Sequence, residues 1–125
     1  LRPGEVLTEV LIPALPDEWR FSFQREAERS VLCPALASAA VGLRLRDGVC
    51  REARVLLGGV APIPWRAAEA EKALQGCRMD PESAKRAAEA AVQGAETLPG
   101  NAHKVALARA VVRRAILRAA GVGIE

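Results

Sequence analysis

Tyrosine is absent from this chain, and Trp19, Phe21, Phe23 and Trp65 are its only aromatics, 3% of 125 residues. A core without rings falls to Ala, Val, Leu and Ile, a composition that favours closely packed helices. Few rings also leave little to stack on nucleobases, so nucleic acid is not an expected partner. Histidine occurs once, as His103, with no Cys, Asp or Glu three or four residues away to complete a metal-ligand pair. The three cysteines, Cys33, Cys50 and Cys77, are odd in number and widely spaced. That fits neither a disulfide framework nor a zinc or iron–sulfur spacing, and they read as buried or idle thiols. Neither Cys33 nor Cys50 forms a recognisable nucleophile–base signature with His103. No apolar run approaches the ~20 residues that cross a bilayer, and no signal-peptide pattern opens the chain. No membrane partner and a cytoplasmic location are expected. Acidic residues are scarce at one end: residues 99–125 hold Lys104, Arg109, Arg113, Arg114 and Arg118 against Glu125 alone, which accounts for the net charge of +3.

What is present fits one domain, long enough to bury roughly two thirds of its unfolded surface. The chain starts at Leu1 in a Pro-Gly turn, without Met, and reads as an excised or processed piece. Glu5 to Ile12 is rich in β-branched residues and bounded by Pro3-Gly4 and Pro13, which predicts a first strand. Trp19 to Gln24 predicts a second: Trp19, Phe21 and Phe23 share one face and Arg20, Ser22 and Gln24 the other, the period of a half-buried strand. Val31 to Ala35 stays ambiguous, because Cys33-Pro34 interrupts any ladder. Residues 37–57 predict an antiparallel hairpin about Asp47-Gly48, with Leu43 and Leu45 inward, Arg44 and Arg46 to water, and Ala53, Val55 and Leu57 sharing a face.

Gly58-Gly59 then turns the backbone, and Pro64 suits the first turn of a helix running to about Gln75, with Gly76 as its C-cap. On that helix Arg66 and Glu69, three apart, would pair. Asp80-Pro81-Glu82 supplies a cap, a proline at the first helical position and an acid in the first turn. Ala84, Ala87, Ala88, Ala91, Val92 and Ala95 continue a small-residue stripe to about residue 97. After Leu98-Pro99-Gly100, Asn101 is placed to cap a last helix whose stripe is Val105, Ala108, Val112, Ala115 and Ala119, ending at Gly121. Arg109, Arg113 and Arg114 fall opposite that stripe, on a solvated face. Strands followed by helices predict an α+β fold, an antiparallel sheet of three to four strands covered on one face by three helices.

Gly58-Gly59 matches neither the dinucleotide fingerprint nor the phosphate loop, and Pro62 and Pro64 remove two backbone donors, so a structural turn is expected there. No self-contained catalytic or metal site emerges. The Arg66–Glu69 pair reads as ordinary surface decoration; the functional alternative is that Trp65 and Arg66 form part of an edge that docks against another domain.

The run Gly58-Gly59-Val60-Ala61-Pro62-Ile63-Pro64-Trp65-Arg66, continuing through Ala67 to Gly76, carries a family resemblance. It resembles the C-terminal domain of the FAD-binding medium subunit of molybdenum hydroxylases, the group of xanthine dehydrogenases, aldehyde oxidoreductases and carbon monoxide dehydrogenases. The opening Pro3-Gly4-Glu5-Val6-Leu7-Thr8-Glu9-Val10, the stretch Ser38-Ala39-Ala40-Val41, and Asn101-Ala102-His103-Lys104-Val105 with Leu107-Ala108 and Arg113-Arg114-Ala115 are similar too. The resemblance implies an oxidoreductase subunit in which electrons pass from molybdopterin through two [2Fe-2S] clusters to FAD and on to an acceptor. It implies that FAD is held mainly by an N-terminal domain absent from this chain, and that the C-terminal domain closes over the flavin without catalysing alone. Iron–sulfur and molybdenum subunits are the implied partners. Leu7 and Gln24 occupy the two implied flavin-contact positions. Gln24 stands where relatives carry lysine, and His103 where they carry tyrosine. A free-standing interaction or dimerisation module, packing through its alanine-lined helices, is the second reading.

Overall fold

The structure, a computed structural model, describes residues 1–29 and 33–123. Its elements are β1 (Trp19–Glu26), β2 (Ala37–Arg46), β3 (Val49–Gly58), β4 (Trp65–Arg66), α1 (Ala68–Leu74), α2 (Pro81–Ala91) and α3 (His103–Ala120). The four strands form one antiparallel meander in the order β1-β2-β3-β4. The hairpin turns where expected, with Asp47 at φ 55° and Gly48 at φ 74°, the pair of left-handed residues a tight two-residue turn demands.

Along β2 and β3 the inward residues Ala39, Val41, Leu43, Ala53, Val55 and Leu57 are buried. α3 lies across β1 and β2, α1 packs on β3, and α2 rests on the other two helices. The helix layer is built on small side chains: Ala70, Ala84, Ala87, Ala88 and Ala115 are fully enclosed, so the backbones approach closely, with Leu74, Val111, Val112 and Ile116 supplying the bulk. The expected fold class is therefore present, but its strands are partly different.

Residues 5–12 form no strand; Val6, Leu7, Val10, Leu11 and Ile12 are exposed. β propensity yields a strand only where a neighbour supplies a ladder and a packing surface, and this segment has neither among the described residues. The fourth strand is instead Trp65–Arg66, paired with Leu57 and Leu56 and extended by the Ala67 N–H bond to the Val55 carbonyl at 2.9 Å. Pro64 consequently precedes a strand, and α1 starts four residues later than predicted. Asp80-Pro81 starts α2 and Gly121 closes α3 as expected, whereas the end of α2 and the start of α3 differ. Asp80 caps α2 reciprocally with Ser83, the Asp80 Oδ1 accepting the Ser83 N–H at 2.7 Å and the Asp80 N–H reaching Ser83 Oγ at 3.0 Å. That helix stops at Ala91, short of residue 97, because Val92 leaves helical geometry at φ −109°, ψ 6°. Asn101 does not cap α3: its Oδ1 accepts the Leu98 N–H at 2.9 Å, inside the preceding turn. Val31 and Leu32 lie outside the described residues, and Cys33 to Ala35 have no regular structure.

Candidate functional site

The sheet has a helix-covered face and a bare one, and the bare face carries the aromatics. Trp19, Phe21 and Phe23 do share one side of β1, as the alternation predicts, yet Phe21 and Phe23 are each 61% exposed while Ser22 and Gln24 are half-buried on the helix side. Small residues underneath make this possible. Phe21 stands opposite Gly42 and Phe23 opposite Ala40. A Cβ at Gly42 would lie 2.7 Å from Phe21 Cε1, so the missing side chain is the space into which that ring settles. Trp19 stacks on Phe21 with centroids 5.8 Å apart and planes 10° from parallel. Leu56 continues the apolar strip across β3, and Arg54 borders it. The inward polar side of β1 is held by an ion pair between Glu26 and Arg114 of α3. Arg114, expected on a solvated face, is thus half-buried against the sheet.

Neither flavin-contact candidate sits on the bare face. Leu7 is 66% exposed on the irregular opening segment. Gln24 is half-buried near the end of β1, where its Nε2 donates to the Phe23 carbonyl at 2.7 Å. An apolar side chain and an amide suit two isolated contacts with a ring system and its polar edge; they do not make a pocket for a dinucleotide. The Gly58-Gly59 turn supplies no phosphate cradle. Gly59 takes φ 74°, and a Cβ there would meet the Ala35 carbonyl oxygen at 2.9 Å and that of Leu36 at 3.1 Å. Lys104 Nζ donates to the Gly59 carbonyl at 2.8 Å, tying the first turn of α3 to this loop. Gly59→Ala is therefore expected to cost about 2 kcal/mol in urea unfolding, through backbone strain and the carbonyl clash. Gly58→Ala should cost less, since its new Cβ meets only the rotatable Ser38 Oγ.

Sequence reasoning missed the polar centre of the domain. Arg66 does not pair with Glu69, because it stands on β4 rather than a helix; Lys72 takes Glu69 at 2.7 Å. Arg66 instead grips Glu71, with Nη2 to Oε2 at 2.7 Å and Nε to both oxygens at 3.0 and 3.1 Å. Glu71 Oε1 also accepts the Val55 N–H at 3.0 Å. Partial burial pushes this carboxyl up, but the Arg66 and Val55 hydrogen bonds, with the Arg66 and Arg54 charges, outweigh it and hold it below the usual glutamate value. The signal was available: Ala70, Glu71 and Leu74 form the buried stripe of α1, and a lone carboxylate on such a stripe demands a partner. Beyond it, Trp65 is 55% exposed and rims a cavity of about 370 Å³ with Val60, Val92 and Val105. Among the described residues no three His, Cys, Asp or Glu side chains gather as a metal-ligand set, and no helix is long and apolar enough to cross a membrane.

Residues 22–119 match the CO dehydrogenase flavoprotein C-terminal domain. The chain belongs to that family. The carbon monoxide dehydrogenase medium chain of Afipia carboxidovorans is 34% identical over 123 residues, which is 95% of this chain and 42% of that protein. The nicotine 6-hydroxylase medium subunit of Paenarthrobacter nicotinovorans is 30% identical over the same share of each. This CO dehydrogenase flavoprotein C-terminal domain therefore spans about two fifths of the length of these relatives. Among solved structures, quinoline 2-oxidoreductase from Pseudomonas putida 86 superposes with a TM-score of 0.76 at 34% identity, covering 85% of this chain and 38% of that one. A carbon monoxide dehydrogenase from Hydrogenophaga pseudoflava gives 0.78 at 31%, covering 88% and 39%. These two structures therefore share the fold of this chain over 85% and 88% of its residues.

Proposed function

We propose that this chain is the C-terminal domain of the FAD-binding medium subunit of a cytoplasmic molybdenum hydroxylase, and that it closes over a flavin held mainly by a preceding domain of the same subunit. Its family membership over residues 22–119 carries this reading. The bare face supports it: a sheet side bearing Trp19, Phe21, Phe23 and Leu56 suits another protein layer better than water. The opening segment, with Val6, Leu7, Val10, Leu11 and Ile12 exposed, supports it in the same way, because an extended apolar stretch gains a ladder once a neighbouring sheet offers an edge.

When bound, FAD would supply the redox chemistry that collects single electrons from iron–sulfur clusters and passes them to an acceptor. The chain's own part is placement. Leu7 offers an apolar contact to the flavin and Gln24 an amide in place of the relatives' lysine, so the neutral side chain hydrogen-bonds without adding positive charge near the ring. Iron–sulfur and molybdenum subunits are the proposed partners, docking in part through the Trp65 edge. The test is the visible spectrum of the purified product of the complete reading frame. Bound flavin in the full-length subunit and none with residues 1–125 alone is expected. A full-length product without flavin, or a reading frame that starts near Leu1, would overturn the assignment in favour of a free-standing interaction module.

A further inference from the structure

We propose that Cys50 and Cys77 are a redox modification site, forming a reversible disulfide that fastens the segment after α1 to the start of β3. The inference rests on backbone pairing that the sequence, with 26 residues between the two cysteines, does not announce. Val49 and Arg78 make an isolated antiparallel bridge. Around it the Met79 N–H bonds the Gly48 carbonyl at 2.9 Å, the Cys50 N–H bonds the Cys77 carbonyl at 2.9 Å, and the Gly76 N–H bonds the Cys50 carbonyl at 2.8 Å. The last two bonds set Gly76, at φ 78°, and Cys77 together against Cys50 as a bulge, so Cys50 and Cys77 are neighbours across the ladder that share one of its bonds. Hydrogen-bonded partners in a regular antiparallel ladder have Cα atoms about 5.5 Å apart, in the middle of the roughly 4.4–6.8 Å span of a disulfide. The Cys50 thiol also feels the charge of Cys77, the mark of a neighbouring sulfur.

The two thiols are free and differ in access: Cys50 is buried and Cys77 half-buried. Their present bonds are weak sulfur contacts, Cys50 Sγ to the Glu52 carbonyl at 3.4 Å and Cys77 Sγ to the Ala73 carbonyl at 3.3 Å, so rotation toward each other gives up little. Arg86 Nη2 stands 4.0 Å from Cys77 Sγ, a cation beside the more accessible sulfur. Burial first, with the adjacent Cys77 and Glu52 adding to it, pushes the Cys50 thiol up to about 11 despite its bond to the Glu52 carbonyl. Those differences assign the order of events. With hydrogen peroxide as oxidant, Cys77 sulfur attacks one peroxide oxygen, the O–O bond breaks, and a sulfenic acid and one water result. Cys50 sulfur then attacks Cys77 sulfur, the S–O bond breaks, and the departing hydroxide takes the Cys50 proton as a second water. Two thiols lose two electrons and peroxide gains them; a dithiol reductant reverses the change. Cys33 lies apart, on the connection from β1 to β2, where its carbonyl accepts from Arg25.

The closed loop would contain β4, α1 and the Arg66–Glu71 pair, so oxidation would lock the edge that carries Trp65. The full-length subunit, treated with peroxide and then alkylated and digested with trypsin, should yield peptide 47–51 joined to peptide 73–78. Dithiothreitol should release the two peptides, Cys77→Ser should leave Cys50 open to alkylation, and Cys33→Ser should leave the link intact. Recovery of both peptides singly alkylated, or of Cys77 as sulfinic acid with no link, would overturn the proposal. So would equal yield of the link in urea, because the pairing depends on the fold.

Discussion

Leu43→Ala is expected to lower the unfolding free energy of this chain by about 3 kcal/mol, the usual cost of a leucine cavity in a close-packed interior. Phe21→Ala, although it removes more atoms, should cost about 1 kcal/mol or less, the worth of one exposed aromatic pair. The contrast follows from the two faces of one sheet. Leu43 is fully enclosed on β2, beneath the helix layer, whereas Phe21 lies over Gly42 on the bare side, stacked by Trp19 and 61% exposed. Urea midpoints followed by circular dichroism, at a concentration where the chain is monomeric, decide the matter. Equal losses for the two variants would mean that the aromatic face is covered in the isolated chain, and the docking role assigned to it would fall.

Glu71→Ala should cost about 2 kcal/mol, because it orphans the Val55 N–H in the middle of β3 and strips the Arg66 guanidinium of its three short bonds. Arg66→Ala should cost less, since its side chain is 58% exposed and water replaces what it loses. The pH dependence has a definite sign. With the folded carboxyl held below its ordinary value, its charge stabilises the fold above the unfolded glutamate value of ~4.3 and that contribution disappears as pH falls through the lower folded value. Glu71→Gln keeps the shape without the charge. The gap between wild type and Glu71→Gln, read as urea midpoints, should be full at neutral pH and narrow below about pH 4. A gap that stays constant across that range would show that the carboxylate's charge is not what fastens β4 to α1.

Much of the architecture was legible in local signals, and the misses share a cause. Asp47-Gly48 and Asp80-Pro81 encode their structures through φ preference and a side-chain cap, properties that act within four residues. Alternation along β1 named the residues that share a side, but period alone says nothing about which side meets the helices; that depends on Gly42 and Ala40 from another strand. Residues 5–12 have strand composition without a strand, because a ladder is made by two segments and the second is not among the described residues. Trp65 and Arg66 reverse the case: a helix-like context gave way to β4 because Leu56 and Leu57 offered unpaired backbone. The Arg66 pairing with Glu71 instead of Glu69 followed from that single change of element. For the candidate site, Gln24 and Leu7 were identified by resemblance alone, and the aromatic face needed the third dimension.

The contact of α3 with β1 and β2 joins the last long element of the chain to the first. Ribosomes deliver chains from the amino end at roughly 5–20 residues per second, so the meander emerges seconds before the helix that shields its inner side. Glu26 must wait for Arg114, 88 positions later, before its ion pair can close. Until then the nascent protein exposes greasy strands on both sides at once, and its vulnerable interval is set by translation speed rather than by the thermodynamics of the finished domain.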